Sequence, residues 1–585
     1  MAEAHSAPAA RQKWWALAIC CVLALYWGWG YRDASSWGWD ESMHAELPAA
    51  RLVLATQAVR PAAAMAAVHD SDRYPIVYPA MLAVPQFFFG ISEDVARRSS
   101  VAIWCLSLFV LWLLGVELAR AARGPDGRPR PNEAWVPWIA LAFGAASPLG
   151  LALGYSLFLE APFVLTGALA LRGWLRRGVH LGEDGRFVRE RRAGAWFVLA
   201  FFTKFNYSLL LALGCGADWL LEGIGEVRAG RGREFARRTA HLLMIPAIFG
   251  VWWFLLPLPH GLETAAEHRE AFAEFLSGNQ EGNEQGNEWR ILYLACFFSM
   301  SVRALILQGV GALAGLRRLT RGTRVLWLTM LATFIPIWTH PFFLERFWLP
   351  LGISLWPLAA LGIASVLPRA RVLSAGAVVA LAALVSVSAK SDALKLARHY
   401  EMVSSDPEQL DSEVEEYKRA ELVRMGSLAR GRPALRRPAL KREERETLDE
   451  LISSVTGPME KVAWLGISSE YSPAVLHLGL LENGGSPGRF LRDAHMPLDL
   501  EFRGNRGYGE WTDEDLIEWA RDFDLVLMSD PVDFNQREGR AYMRPLQQRL
   551  CEDLRWTEER VGWVDRERLL RDPLRIRIFA VRPPR

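Results

Sequence analysis

The sequence predicts a polytopic α-helical membrane protein with a C-terminal extracytoplasmic α/β domain, on three observations. Of the 585 residues 51% are apolar while 23% are charged, a mixture that fits a membrane bundle fused to a soluble part better than either alone. Apolar runs long enough to cross a bilayer recur as far as residue 389 and then stop. The loops between them alternate between arginine-rich and acidic, as expected of a chain that weaves across a membrane.

The first apolar run, 14 to 30, follows Arg11 and Lys13. It ends in Trp and Tyr and lacks a small-residue cleavage site, so it reads as a retained anchor rather than a signal peptide. Trp14, Trp15, Trp27, Trp29, Trp37 and Trp39 bracket it as interfacial rings do. In the loop 31 to 98, a helical pattern follows Asp40 to about Val59, and the apolar stretch 74 to 90 is broken by Pro75, Pro79 and Pro85. Counting that stretch as a span would carry Arg120, Arg123, Arg128 and Arg130 to the outside, so it is expected to be re-entrant or interfacial.

Further spans are expected near 99 to 119, 134 to 153, 157 to 175, 239 to 257, 291 to 315, 325 to 340, 345 to 367 and 372 to 389. Residues 193 to 221 exceed one span, are interrupted by Lys204 and Asn206, and have basic flanks at Arg189, Arg191 and Arg192 and at Arg228, Arg231 and Arg233. They are expected to form a hairpin whose Thr203, Lys204, Phe205 and Asn206 turn faces outward. The loops with Arg317, Arg318, Arg321 and Arg324 and with Arg369 and Arg371 then become cytoplasmic, while the acidic loop 258 to 290 lies outside. The count is about eleven spans. The expected setting is the inner (plasma) membrane, multi-pass, with a cytoplasmic N-terminus and an extracytoplasmic C-terminal domain.

Residues 391 to 456 read as a charged helical linker with a basic, proline-punctuated patch from 430 to 442. Residues 457 to 585 read as a soluble α/β domain with strands at 462 to 466, 525 to 528 and 576 to 581 and helices at 473 to 482 and 512 to 521. No G-x-G-x-x-G follows the first strand, so no dinucleotide site is read. A net charge of +2 gives no case for a nucleic-acid partner. Five of the six cysteines lie in apolar runs, leaving only Cys551 in the soluble part and neither a disulfide framework nor a zinc spacing.

Asp40, Glu41 and His44 lie just past the first span at the outer face. Asp40 reads either as a general base for an acceptor hydroxyl or amine, or as the cap of the helix after it. Asp40 with His44, and Glu41 with His44, have the spacing of one helix face, but two ligands are weak evidence for a divalent metal and no cofactor is certain. Glu160 is an ionisable residue at the outer end of a span, a functional candidate by default. Lys204 reads equally as a point charge holding a lipid phosphate or as a lysine snorkelling to the interface. His340, Glu345 and Arg346 occupy a short outside loop, where Arg346 suits bidentate phosphate recognition or a structural pair with Glu345. Parity brings Asp40, Glu160, Lys204, His340 and Arg346 to one bilayer face, and a base beside cationic phosphate binders suits group transfer from a lipid phosphate.

In this light the first 390 residues or so resemble the GT-C superfamily of membrane glycosyltransferases, in the branch of protein O-mannosyltransferases and lipid A aminoarabinose transferases. Trp39, Asp40 and Glu41 with His44 and Ala45 look like the acidic motif of its first external loop, which implies a catalytic Asp40 with Glu41 beside it. Tyr74 and Pro75, then Arg97 and Arg98, look like the loop motif and the start of the next span. Leu159, Glu160 and Pro162 are similar to its acidic residue followed by proline, and Thr203 and Lys204 to its Thr-Lys turn. Arg346 through Pro350 is similar to its Arg-Tyr-x-x-Pro element. The pattern departs at Ile76 and at Phe205 and Asn206.

The resemblance implies a hexosyl or pentosyl transferase moving sugar from a polyprenyl-phosphate donor to a lipid, glycan or protein acceptor, with membrane lipid around it. It implies donor phosphate binding by Lys204, Arg346 and His340, with His44, Glu160 and Tyr74 as further polar site residues. The implied layout is a catalytic membrane domain over 1 to 390, the linker, and an appended domain over 457 to 585. A secondary transporter predicts internal repeats and midplane charges, neither of which is visible here. A non-catalytic envelope assembly protein predicts indifference to Asp40→Asn.

Overall fold

The computed structural model describes residues 6–30, 45–60, 76–121, 132–155, 157–177, 183–255, 294–298, 302–318, 320–339, 345–367 and 445–450, four strands between 462 and 580, and two isolated positions. It divides into two compact units, one of Met1–Tyr31, Met65–Met81 and Arg97–Leu435, the other of Arg32–Ala64, Leu82–Ala96 and Arg436–Arg585.

The first unit is helical. Its elements are α1 (Ser6–Gly30), the start of α3 (Val77–Phe89), most of α4 (Glu93–Ala121), α5 (Val136–Ala146), α6 (Pro148–Tyr155), α7 (Glu160–Leu175), α8 (Glu183–Phe201), α9 (Phe205–Arg228), α10 (Gly232–Gly250), α11 (Val302–Gly315), α12 (Arg321–Thr339) and α13 (Gly352–Val366). Among the described residues three helices are long and apolar enough to cross a membrane, or four if one bent pair is a single span. The expected span at 372 to 389 lies outside the described residues.

That bent pair revises the reading of 134 to 153 as one straight span: Glu133–Ala146 and Pro148–Tyr155 meet at 67°. Ser147 between them has ψ 115, an extended conformation imposed by the ring of the following proline. The Ser147 hydroxyl accepts the Gly150 N–H at 3.2 Å and so caps the second helix. The apolar stretch after Tyr74 forms α3, whose 13 residues extend roughly 20 Å, short of the ~30 Å hydrocarbon core.

The core of this unit is built by close backbone approach, which matters because lipid tails are as apolar as leucine and give helices little reason to associate. Trp104 of α4, fully buried, lies against Gly150 and Gly154 of α6, and a Cβ on Gly154 would stand 2.8 Å from the Trp104 side chain. Gly362 of α13 meets the carbonyl of Gly311 on α11 so closely that no Cβ fits. Trp356 of α13, also fully buried, stacks on Phe298 with ring centroids 5.2 Å apart. Cys20, Cys105 and Cys215 are buried free thiols.

The second unit holds α2 (Leu47–Gln57), the end of α3, the first turn of α4, a short helix at 445–450 and a sheet. Glu46, fully buried at the start of α2, accepts a 2.5 Å hydrogen bond from Gln86 Nε2. Arg445, also fully buried, sits 3.4 Å from Asp449 and 4.0 Å from Glu93, whose carboxylate is favoured in the first turn of α4 by the helix dipole.

The strands are β1 (Val462–Leu465), β2 (Leu525–Asp530), β3 (Thr557–Val564) and β4 (Leu574–Ala580), in the order β1-β2-β4-β3. β1 and β2 run parallel with Val462 opposite Leu525; β4 runs antiparallel to both β2 and β3. Three strands fall at the expected places, and β3 was not expected. As an edge strand it opens with Thr, Glu, Glu and Arg, and its ladder is interrupted between Glu558 and Arg560, so an apolar alternation is hard to see. The two helices expected between strands lie outside the described residues.

Candidate functional site

Glu160 is the first residue of α7, and its side chain is entirely removed from solvent. Such a carboxylate requires cationic partners, and two arrive from distant parts of the sequence. Lys204 Nζ donates to Glu160 Oε1 at 2.6 Å, and Arg346 Nε lies 3.6 Å from the same oxygen, an ion-pair distance beyond hydrogen-bond reach. Glu160 Oε2 accepts no hydrogen bond among the described residues.

Each cation is held by its local fold. α8 stops at Phe201 and α9 starts at Phe205, with Lys204 in the extended conformation (φ −158, ψ 105) as the residue before the new helix. The expected hairpin turn is therefore one to two residues earlier than 203 to 206: Phe205 and Asn206 already belong to α9. The Thr203 hydroxyl donates to the Leu199 carbonyl, ending α8, and the Ser208 hydroxyl donates to the Lys204 carbonyl, starting α9. The Lys204 ammonium lies 5.1 Å from the Tyr207 ring centroid and the Arg346 guanidinium 4.7 Å from that of Phe158, so aromatic faces flank both charges. Arg346 belongs to a 3₁₀ turn, Glu345–Leu351, anchored by the fully buried Trp348.

Two more segments singled out in the sequence reach this neighbourhood through the backbone. Val77 N, three residues after Tyr74, donates to the Phe202 carbonyl of the Lys204 turn at 3.0 Å. Arg97 donates to the Tyr155 carbonyl at 3.2 Å, near where α6 leads toward Glu160. Two cations thus meet on one carboxylate in a water-poor place.

Asp40, Glu41, His44, Tyr74 and His340 lie outside the described residues, as does the side chain of Glu345. Among the described residues no group of three or more His, Cys, Asp or Glu is placed to hold a metal ion.

No protein-family model and no curated protein sequence matches the chain. Solved structures do. ArnT from Cupriavidus metallidurans in its apo state, a lipid A aminoarabinose transferase, superposes with a TM-score of 0.54 over 98% of this chain and 100% of that one, at 13% identity. The same protein bound to undecaprenyl phosphate gives a TM-score of 0.52 over 97% and 99%, again at 13% identity. This chain has the GT-C fold. At that identity the likeness is one of fold, and within the GT-C fold the chemistry must be argued from this chain's own side chains.

A larger ionic network at the other end of the same helices was not singled out from the sequence. Arg177, only 2% exposed, lies 2.8 Å from Glu222 and 3.5 Å from Glu190. Arg238 bridges Glu222 at 2.6 Å and Glu190 at 3.0 Å, and Arg321 approaches Glu222 at 2.9 Å. Asp218, fully buried, accepts from Arg324 at 2.6 Å and from Trp174 Nε1 at 3.0 Å. The signal was present: Asp218 and Glu222 are one turn apart and follow the apolar run 209 to 217 of α9, where carboxylates need a reason.

Proposed function

We propose that the chain is a glycosyltransferase taking a sugar from a polyprenyl-phosphate donor and passing it to a lipid, glycan or protein acceptor at the outer face of the inner membrane. The observation that carries this reading is the meeting of Lys204 and Arg346 on the buried Glu160 carboxylate, three groups from separate segments of the chain. In this reading the two cations hold the donor phosphate and stabilise the negative charge that grows on it as it leaves. Glu160 fixes both cations and offers Oε2 to a donor hydroxyl. Asp40 takes the proton from the acceptor nucleophile as general base, with Glu41 beside it, and His44, Tyr74 and His340 complete the polar lining. The metal requirement is open to direct test by chelation.

The layout that goes with this function is a catalytic membrane domain over 1 to 390 with about eleven spans, a linker over 391 to 456, and an extracytoplasmic domain over 457 to 585 contacting the acceptor.

The test is transfer of radiolabelled sugar from a panel of polyprenyl-phosphate sugars in native membranes, comparing wild type with Asp40→Asn and Lys204→Ala at matched protein levels. Label entering a lipid, glycan or protein fraction, lost in Asp40→Asn and weakened in Lys204→Ala, supports the reading and identifies the acceptor class. Undiminished transfer by Asp40→Asn refutes the assigned base, and no transfer from any donor refutes the proposed reaction.

A further inference from the structure

Helix α7 carries charged groups at both ends. At its C-terminal end, opposite Glu160, three guanidiniums converge on the single carboxylate of Glu117 from α4: Arg176 Nε at 3.1 Å, Arg172 Nη2 at 3.4 Å and Arg120 Nη1 at 3.5 Å. In the neighbouring network four arginines, Arg177, Arg238, Arg321 and Arg324, face three carboxylates, Asp218, Glu190 and Glu222, and the charges nearly cancel. Around Glu117 they do not, because three positive charges meet one negative. The carboxylate is 11% exposed while the Arg120 and Arg176 side chains remain 49% and 45% exposed. Arg172 Nε is buried and donates to nothing in the described residues.

Position decides which anion would fit. Arg120 lies in the last turn of α4, a helix long and apolar enough to span a bilayer, so the guanidiniums stand where that span ends and lipid headgroups begin. Arginine-rich ends of spans face the cytoplasmic leaflet, whose surface is anionic. A phosphodiester presents two unesterified oxygens to planar N–H forks, the geometry guanidinium groups recognise best.

We propose that Arg120, Arg172 and Arg176, gathered by Glu117, form a binding site for the headgroup phosphate of an anionic phospholipid in the leaflet opposite the Glu160 site. The headgroup phosphate supplies the negative charge that the cluster lacks and gives Arg172 Nε an acceptor. Glu117 serves as the organiser, holding the three side chains in position before the lipid arrives. This site is independent of the sugar-transfer reading, since it involves none of the residues assigned to transfer.

The test uses the full-length protein in nanodiscs of phosphatidylcholine doped with phosphatidylglycerol, with retained lipids counted by native mass spectrometry after release. Wild type is expected to retain phosphatidylglycerol over phosphatidylcholine. The doubly substituted Arg120→Gln, Arg176→Gln protein, altered at two half-exposed positions, should lose that preference by on the order of tenfold. Equal retention of phosphatidylglycerol by wild type and the double variant overturns the proposal. Displacement of the lipid by millimolar inorganic phosphate also overturns it, in favour of a soluble anion. Arg176→Gln alone, at a half-exposed position, carries the test if the double variant fails to fold: it should lose part of the preference for phosphatidylglycerol, and unchanged retention refutes the assignment.

Discussion

Replacing Lys204 by Met and Glu160 by Gln, singly and together, measures how firmly the buried trio is held. Coulomb attraction falls as the inverse of distance, so at 2.6 Å Lys204 contributes about 1.4 times what Arg346 does at 3.6 Å in the same dielectric. Lys204→Met leaves a fully buried carboxylate with its nearer cation gone. Deleting one member of a buried pair costs about 3–5 kcal/mol, and with Arg346 still present the lower end, about 3 kcal/mol, is expected. Glu160→Gln takes the shared carboxylate away from both cations and should cost a similar amount, about 3 kcal/mol. The double variant removes both members of the closer pair. Its loss should fall short of the sum by about 2–3 kcal/mol, the coupling of groups in direct contact. Thermal unfolding of the purified chain, followed by tryptophan fluorescence, reads this as an order of midpoints: wild type highest, and the double variant much closer to the single ones than the sum of their shifts would put it. Strictly additive shifts would show that Glu160 and Lys204 do not act on each other, and an unshifted Lys204→Met would contradict the burial of the pair.

Other substitutions probe the frame around the site. Gly362→Val places a branched side chain onto the Gly311 carbonyl and should cost at least about 1–3 kcal/mol through overpacking, seen as a lower melting midpoint and poor recovery from membranes. Arg177→Met removes a 2%-exposed cation from Glu190 and Glu222 and should destabilise by about 3–5 kcal/mol, with Arg177→Lys recovering part of that in the same unfolding assay. Arg346→Lys keeps the charge but loses the planar fork, so on the proposed sugar-transfer reading the KM for a polyprenyl-phosphate donor should rise with little change in kcat; an unchanged KM would refute donor binding by Arg346. Arg445→Met removes a fully buried cation from beside Asp449 and Glu93 and should lower the melting midpoint, which a circular-dichroism melt checks.

The residues legible in the sequence were those that violate their surroundings. Glu160 interrupts an apolar run and Lys204 sits midway through another with basic flanks, so sidedness alone brought both to one face with Arg346. What the sequence could not supply was contact: nothing in spacing says that Lys204 and Arg346 share one oxygen of Glu160. The ionic network below them was harder to read because Arg321 and Arg324 open α12, where charges pass for ordinary boundary markers, and nothing in the spacing pairs them with Asp218 and Glu222 inside α9. The bend at Ser147 was hidden for another reason, since hydropathy averages over a window and is blind to a single residue forced out of the helical region before proline.

Helix α7 works as a ruler. From Glu160 to Arg176 it measures roughly 24 Å at 1.5 Å per residue, against a hydrocarbon core of about 30 Å. Were the arginine end to sit at one headgroup layer, as we propose, the Glu160 end would stop about 6 Å short of the other, and any tilt would widen the gap. An anion that reaches Lys204 therefore leaves the crowded plane of ordinary phospholipid phosphates and descends to the depth of the acyl chains. Bulk lipid, whose headgroups are bulky and well hydrated, is a poor competitor at that depth, so the shortness of one helix becomes a filter on what can enter.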